Sequence, residues 1–184
     1  MVGRGAGRVP ERWTQYSPLG RRLPGTRFIA FKVPLSKHFE RQLLPEQRFS
    51  PQDLLRELQG RNQELGLIID LTCTTRYYGQ QELPPTLPYC KLLTVGREIP
   101  DSKTTRSFQS LVGEFLRENQ HNDKLIGVHC THGLNRTGYL VCRYLIDVEG
   151  MEPNTAIELF NESRGHPMER INYIQDLQRR APKK

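Results

Sequence analysis

The run Leu125-Ile126-Gly127-Val128-His129-Cys130-Thr131-His132-Gly133-Leu134-Asn135-Arg136-Thr137-Gly138 constrains this chain more than any other stretch. Apolar residues end in His-Cys, and after a short turn come Arg and the helix-compatible Thr-Gly-Tyr-Leu-Val. That order predicts a strand, a tight loop and a helix. It also builds an anion cradle. Loop amides between Cys130 and Arg136 point inward, the helix adds the positive end of its dipole, and the Arg136 guanidinium can grip two phosphate oxygens. A phosphoryl group then sits above the Cys130 sulfur. The same positive field favours thiolate over thiol, so the Cys130 pKa is expected well below the free value of about 8.5. Cys130 is thereby a nucleophile at neutral pH.

Composition sets the limits around this segment. With 184 residues, 36% of them hydrophobic and 26% charged, the chain suits one domain with tails. The four cysteines lack zinc-type spacing and no signal peptide precedes them, which predicts a reducing compartment rather than a disulfide scaffold. No apolar run is long enough to cross a bilayer, so a soluble protein without a membrane partner is expected. The net charge of +7 is concentrated at the ends: Arg4, Arg8, Arg12, Arg21, Arg22 and Arg27 face only Glu11, and Arg179, Arg180, Lys183 and Lys184 close the sequence. Basic tails either attract a polyanion such as RNA or serve only as solvated charge; both readings stand.

The remaining chain divides readily. Residues 1–9 are Gly/Arg-rich and read as a disordered basic tail, residues 10–180 as a single domain opening with an ordered arm over 10–26, and 181–184 as a second basic tail. Strands are expected at Arg27–Val33, Leu65–Leu71, Pro88–Leu93 and Leu125–Val128. Helices are expected from Pro51 to about Gln59, Lys103 to about Asn119, Arg136 to about Val148, Pro153 to Ser163 and Pro167 to Arg179. Strands alternating with helices indicate an α/β domain whose central, mostly parallel sheet is flanked by helices.

His-Cys-x5-Arg-Thr-Gly in this setting resembles the cysteine-dependent phosphatases, specifically the dual-specificity subgroup. Residues His129 to Gly138 are similar to the loop of the metal-independent RNA 5′-triphosphatases, including that of animal mRNA capping enzymes. So are Asp70-Leu71-Thr72-Cys73-Thr74-Thr75-Arg76-Tyr77-Tyr78 and the opening from Pro10-Glu11-Arg12-Trp13 to Phe28-Ile29-Ala30-Phe31-Lys32. The resemblance implies a dual-specificity phosphatase fold and hydrolysis through a phosphocysteine, with no metal or other cofactor.

Each candidate residue has a physical role. Cys130 attacks the terminal phosphorus in line. Arg136 binds the phosphate and stabilises charge on the transferring oxygens. Thr137 either donates its hydroxyl to the sulfur as the phosphocysteine breaks or caps the helix. Thr131, His132, Gly133, Leu134 and Asn135 form the substrate-binding loop, with His132 facing substrate or solvent and Asn135 bonding the loop internally. His129 precedes the nucleophile on the strand, so its side chain points away from the phosphate and supports the loop backbone. Asp101 has two readings: the general acid that the family carries on a loop ahead of the cysteine, or an acid near a helix start. Arg76 and Arg170 are candidates for the β and α phosphates, because one guanidinium cannot balance a 5′-triphosphate. Tyr77 and Tyr78 either pack under the first nucleotide or belong to the core. Cys73 and Cys90 either trap an oxidised Cys130 or are small core residues.

The expected activity is removal of the γ, and then the β, phosphate from RNA with a 5′-triphosphate or 5′-diphosphate end. Alternatives are a protein phosphatase acting on phosphotyrosine and phosphoserine/threonine, and an RNA-binding scaffold with weak phosphatase activity. Ribonucleoprotein partners, a monomeric state and nuclear residence are expectations from the resemblance.

Overall fold

The computed structural model describes residues 7–180. Four parallel strands form its centre: β1 (Phe28–Phe31), β2 (Leu65–Asp70), β3 (Tyr89–Lys91) and β4 (Leu125–His129), in the spatial order β1-β4-β2-β3. β4 lies inside the sheet with helices or loops over both faces, which accounts for its uninterrupted apolar run. His129 stands in register with Phe31 of β1 on one side and Asp70 of β2 on the other. Three strands therefore finish together where the chain enters Cys130.

Five helices surround the sheet. α1 (Pro51–Gly60) starts in a reciprocal cap, with Ser50 Oγ accepting from the Asp53 amide and Asp53 Oδ2 accepting from the Ser50 amide. α2 (Ser102–Glu118) buries Thr105, Phe108, Val112 and Phe115, and of the stripe its spacing predicts, Phe108, Leu111, Val112, Phe115 and Leu116, the two leucines are only partly buried. α3 (Asn135–Asp147) leaves the cysteine loop, and α4 (Pro153–Arg164) ends at Gly165 in the left-handed region, φ 90°. α5 (Ile171–Gln178) is shorter than expected. Residues 167–170 are not helical, and the amides of Glu169 and Arg170 both donate to Asn135 Oδ1. Arg170 thus precedes α5 instead of riding on it.

Side-chain alternation along the strands sorts two cores. Ala30, Ile69, Val128 and Cys130 face α2 to α5, among Phe108, Tyr139, Leu140 and Phe160. Ile29, Phe31 and Ile68 face α1 and the N-terminal arm, among Trp13, Phe39 and Leu54. The arm is fastened rather than draped: Trp13 is fully buried and its Nε1 donates to the Val33 carbonyl at 2.9 Å. The buried Lys32 ammonium donates to the carbonyls of Trp13 and Tyr16 at 2.9 and 2.8 Å and lies 3.6 Å from the Trp13 ring centroid. Burial, with the charge of Arg164 adding to it, brings the Lys32 pKa down to about 8.

Ordered backbone begins before Pro10. Gln42 accepts from the Val9 amide at 3.0 Å and donates to the Gly7 carbonyl, so residues 7–9 are placed against the domain. Residues 1–6 of the basic tail and the tail at 181–184 lie outside the described residues.

Candidate active site

Between the end of β4 and the start of α3, residues 130–134 close a tight loop. Gly133 makes the closure possible: its φ is +74°, and a Cβ there would stand 2.4 Å from the Phe31 carbonyl oxygen. On its outer side the loop is held by Arg164, almost wholly buried, whose guanidinium donates to the carbonyls of Gly133, His132 and Ser17 at 3.1, 2.8 and 2.8 Å. With those carbonyls engaged from behind, the loop keeps its amide side toward Cys130. Burial lowers the Arg164 pKa to about 10, although Cys130 and Tyr16 oppose that shift. It remains a cation at neutral pH.

Cys130 is 3% exposed, and its sulfur accepts from Thr137 Oγ1 at 3.1 Å. Burial alone would raise the thiol pKa. The Arg136 charge, the hydroxyl and amide of Thr137 and the amide of Gly133 outweigh that and hold it below the ordinary range. The Thr137 hydroxyl thus points at the nucleophile; no side chain caps α3.

Arg136 is fixed before any substrate arrives. Nη1 donates to the Thr94 carbonyl at 2.9 Å and to the Leu71 carbonyl at 3.4 Å, and Nη2 donates to Thr131 Oγ1 at 3.1 Å. Chain just beyond β2 and β3 therefore sets its position.

His129 is fully buried and does point away from the loop opening. Its Nε2 is 2.8 Å from the Tyr78 hydroxyl and its Nδ1 is 3.1 Å from the Cys130 carbonyl. Burial lowers its pKa against the pull of nearby Asp70, so the ring is neutral at pH 7. Behind it lies a polar knot that sequence reasoning did not find. Asp70 accepts from Tyr89 Oη at 2.5 Å, from Thr72 Oγ1 at 2.7 Å and from Lys91 Nζ at 3.2 Å. Burial opposes ionisation of Asp70, but His129, Tyr89 and Thr72 together keep its pKa below the usual value. The signal was a polar run following an apolar strand; which partners it would meet depended on strand order.

A cavity of about 350 Å³ opens above Cys130, lined among others by Arg76, Arg97, Arg136, Arg170, His132 and Tyr173. A larger hollow, about 820 Å³, lies at the far side around Gly66 and Phe115. It is lined by none of the residues of the cysteine loop and none of the arginines above it. Arg76 stacks 4.4 Å from the Tyr77 ring centroid and donates to the Tyr77 hydroxyl and the Arg8 carbonyl. Arg97, missed as a site residue, has φ 76°. Its loop is pinned by α5: Asn172 Nδ2 donates to the Arg97 carbonyl and Tyr173 Oη to the Glu98 carbonyl.

The structure corrects one expectation, for Asn135, and bears on residues that carried two readings. Asn135 bonds outward, to the Glu169 and Arg170 amides, and so couples the loop to the segment carrying Arg170. His132 lines the cavity and also meets the arm, with Nε2 2.7 Å from the Glu11 carbonyl, and burial lowers its pKa. Tyr78 is a core residue bound to His129, whereas Tyr77, also buried, reaches the cavity wall. Cys73 is exposed rather than a small core residue. Asp101 is the N-cap of α2: its carboxylate accepts from the Thr104 amide at 2.8 Å, the bond lowers its pKa, and it does not line the cavity.

Comparison with known proteins agrees with this geometry. Residues 52–181 match the family described as "Dual specificity phosphatase, catalytic domain". The chain is 64% identical over 181 residues to the RNA/RNP complex-1-interacting phosphatase of Rattus norvegicus, covering 98% of this chain and 56% of that protein. It is 38% identical over 169 residues to a tyrosine-protein phosphatase of Autographa californica nuclear polyhedrosis virus, covering 91% of this chain and 98% of that one. The chain therefore spans about half the length of the mammalian relatives and nearly all of the viral one. A crystal structure of PTPMT1 shares the fold, with a TM-score of 0.61 at 18% identity, covering 87% of this chain and 91% of that one. By loop, nucleophile and relatives alike, the chain belongs to the dual-specificity phosphatase family and carries its cysteine-dependent catalytic domain.

Proposed function

We propose that this domain removes the γ, and then the β, phosphate from the 5′ end of RNA. The observation that carries the reading is the set of arginines, Arg76, Arg97, Arg136 and Arg170, around one cavity above the nucleophile. A monophosphate occupies Cys130 and Arg136 alone, whereas a 5′-triphosphate carries about four charges and engages the rest. The Cys130 thiolate attacks the γ phosphorus, the bond to the β–γ bridging oxygen breaks, and the RNA leaves with a 5′-diphosphate end. Water then cleaves the phosphorus–sulfur bond, and Thr137, 3.1 Å from the sulfur, donates to the departing thiolate. A diphosphate leaves without protonation, so an acid locked as a helix cap, as Asp101 is, suffices. The name of the rat relative, which refers to an RNA/RNP complex, supports the same reading.

A second reading, a phosphatase of phosphotyrosine proteins, is favoured by the name of the viral relative. Terminal phosphate release from 5′-triphosphate RNA, measured beside a phosphotyrosine peptide with EDTA present and Cys130→Ser as blank, decides between them. Preference for RNA by orders of magnitude is expected; preference for the peptide selects the second reading.

A further inference from the structure

The family match begins at residue 52, yet one wall of the cavity over Cys130 is built from Pro10 and Glu11. That wall reaches two cavity residues on different elements. The Arg8 carbonyl accepts from Arg76 Nη1 at 3.0 Å, and the Glu11 carbonyl is 2.7 Å from His132 Nε2. A short stretch of backbone thus runs from a cation on the rim to the cysteine loop itself. Its fastening lies outside the cavity. The exposed Gln42 acts as a peptide group would, accepting from the Val9 amide and donating to the Gly7 carbonyl. Beyond Glu11, Arg12 takes a left-handed φ of 66° and pairs with Glu169 at 3.1 Å, next to the Arg170 segment. A long side chain held in place beforehand loses less freedom when a ligand arrives.

We propose that Arg8–Glu11, clamped by Gln42 and tied to the cysteine loop through His132, is a specificity element that presets Arg76 for the outer phosphates of a polyphosphate end. This rests on the RNA 5′-triphosphate reading above. A small aryl phosphate, which reaches only Cys130 and Arg136, does not touch this wall and is indifferent to the clamp.

Gln42→Ala in the otherwise intact chain tests this, with KM and kcat measured for a 5′-triphosphate RNA and for p-nitrophenyl phosphate. The expected result is a KM for the RNA about fivefold higher with kcat little changed, since two hydrogen bonds are lost but both are exposed, and both constants for the aryl phosphate within about twofold of the parent. Arg12→Gly, which removes the ion pair while relieving the left-handed backbone, is expected to raise the RNA KM in the same direction. If Gln42→Ala alters both substrates in equal proportion, or neither, the inference is overturned while the function stands. If the parent itself prefers the phosphotyrosine peptide to triphosphate RNA, the function reading fails first and takes the polyphosphate role of the arm with it.

Discussion

A buried thiolate needs donors, and Cys130 has a hydroxyl from Thr137, amides from its own loop and the nearby charge of Arg136. Removing one donor moves its pKa upward, since each favours the charged form. Thr137→Val should therefore shift the pH midpoint for alkylation of Cys130 by iodoacetamide upward by about one unit. At a pH below the parent midpoint the variant reacts more slowly, because less thiolate is present. An unshifted midpoint would show that Arg136 and the loop amides suffice alone. Residues of this kind were legible in the sequence because they lie within a few positions of each other, where strand and helix geometry fix their relation. Arg164 was not. It sits in α4, and only the packing of that helix behind the loop turns an ordinary helix-end arginine into a clamp on two loop carbonyls.

Elements show the same division. Apolar period and capping residues marked β2, β4, α1 and α2 closely, since both signals are local. The start of α5 was misjudged because residues 167–170 are held by tertiary contacts, among them the bonds of the Glu169 and Arg170 amides to the distant Asn135, which no local pattern announces. Asp101 illustrates how an element settles a residue left with two readings. As the N-cap of α2 it stabilises a helix; replacing it with alanine should lower the urea midpoint by a few tenths of a molar at unchanged m-value. Turnover of 5′-triphosphate RNA is expected to stay within about twofold, while a loss near a hundredfold would return Asp101 to the role of general acid.

For the whole molecule, charge is the quantity that local structure leaves free. A chain of net charge +7 whose cavity is rimmed with arginine should bind RNA with a steep dependence on salt. Changing Arg4 and Arg8 together to glutamine is expected to reduce the slope of log affinity against log salt by about 0.7 for each residue that meets a phosphate. An identical slope would exclude both as phosphate contacts.

The sheet order has a consequence in time as well as in space. β4 pairs with β1 across about a hundred residues of chain and with β2 across about sixty, and parallel pairings so distant in sequence form slowly. His129 stands between those two pairings, and Arg136 is anchored on chain that follows β2 and β3. No fragment holding the cysteine loop alone can bring these supports together. Catalytic competence thus waits on the distant strand pairings and on the packing of α4 behind the loop, and a nascent chain stays chemically silent until both are in place.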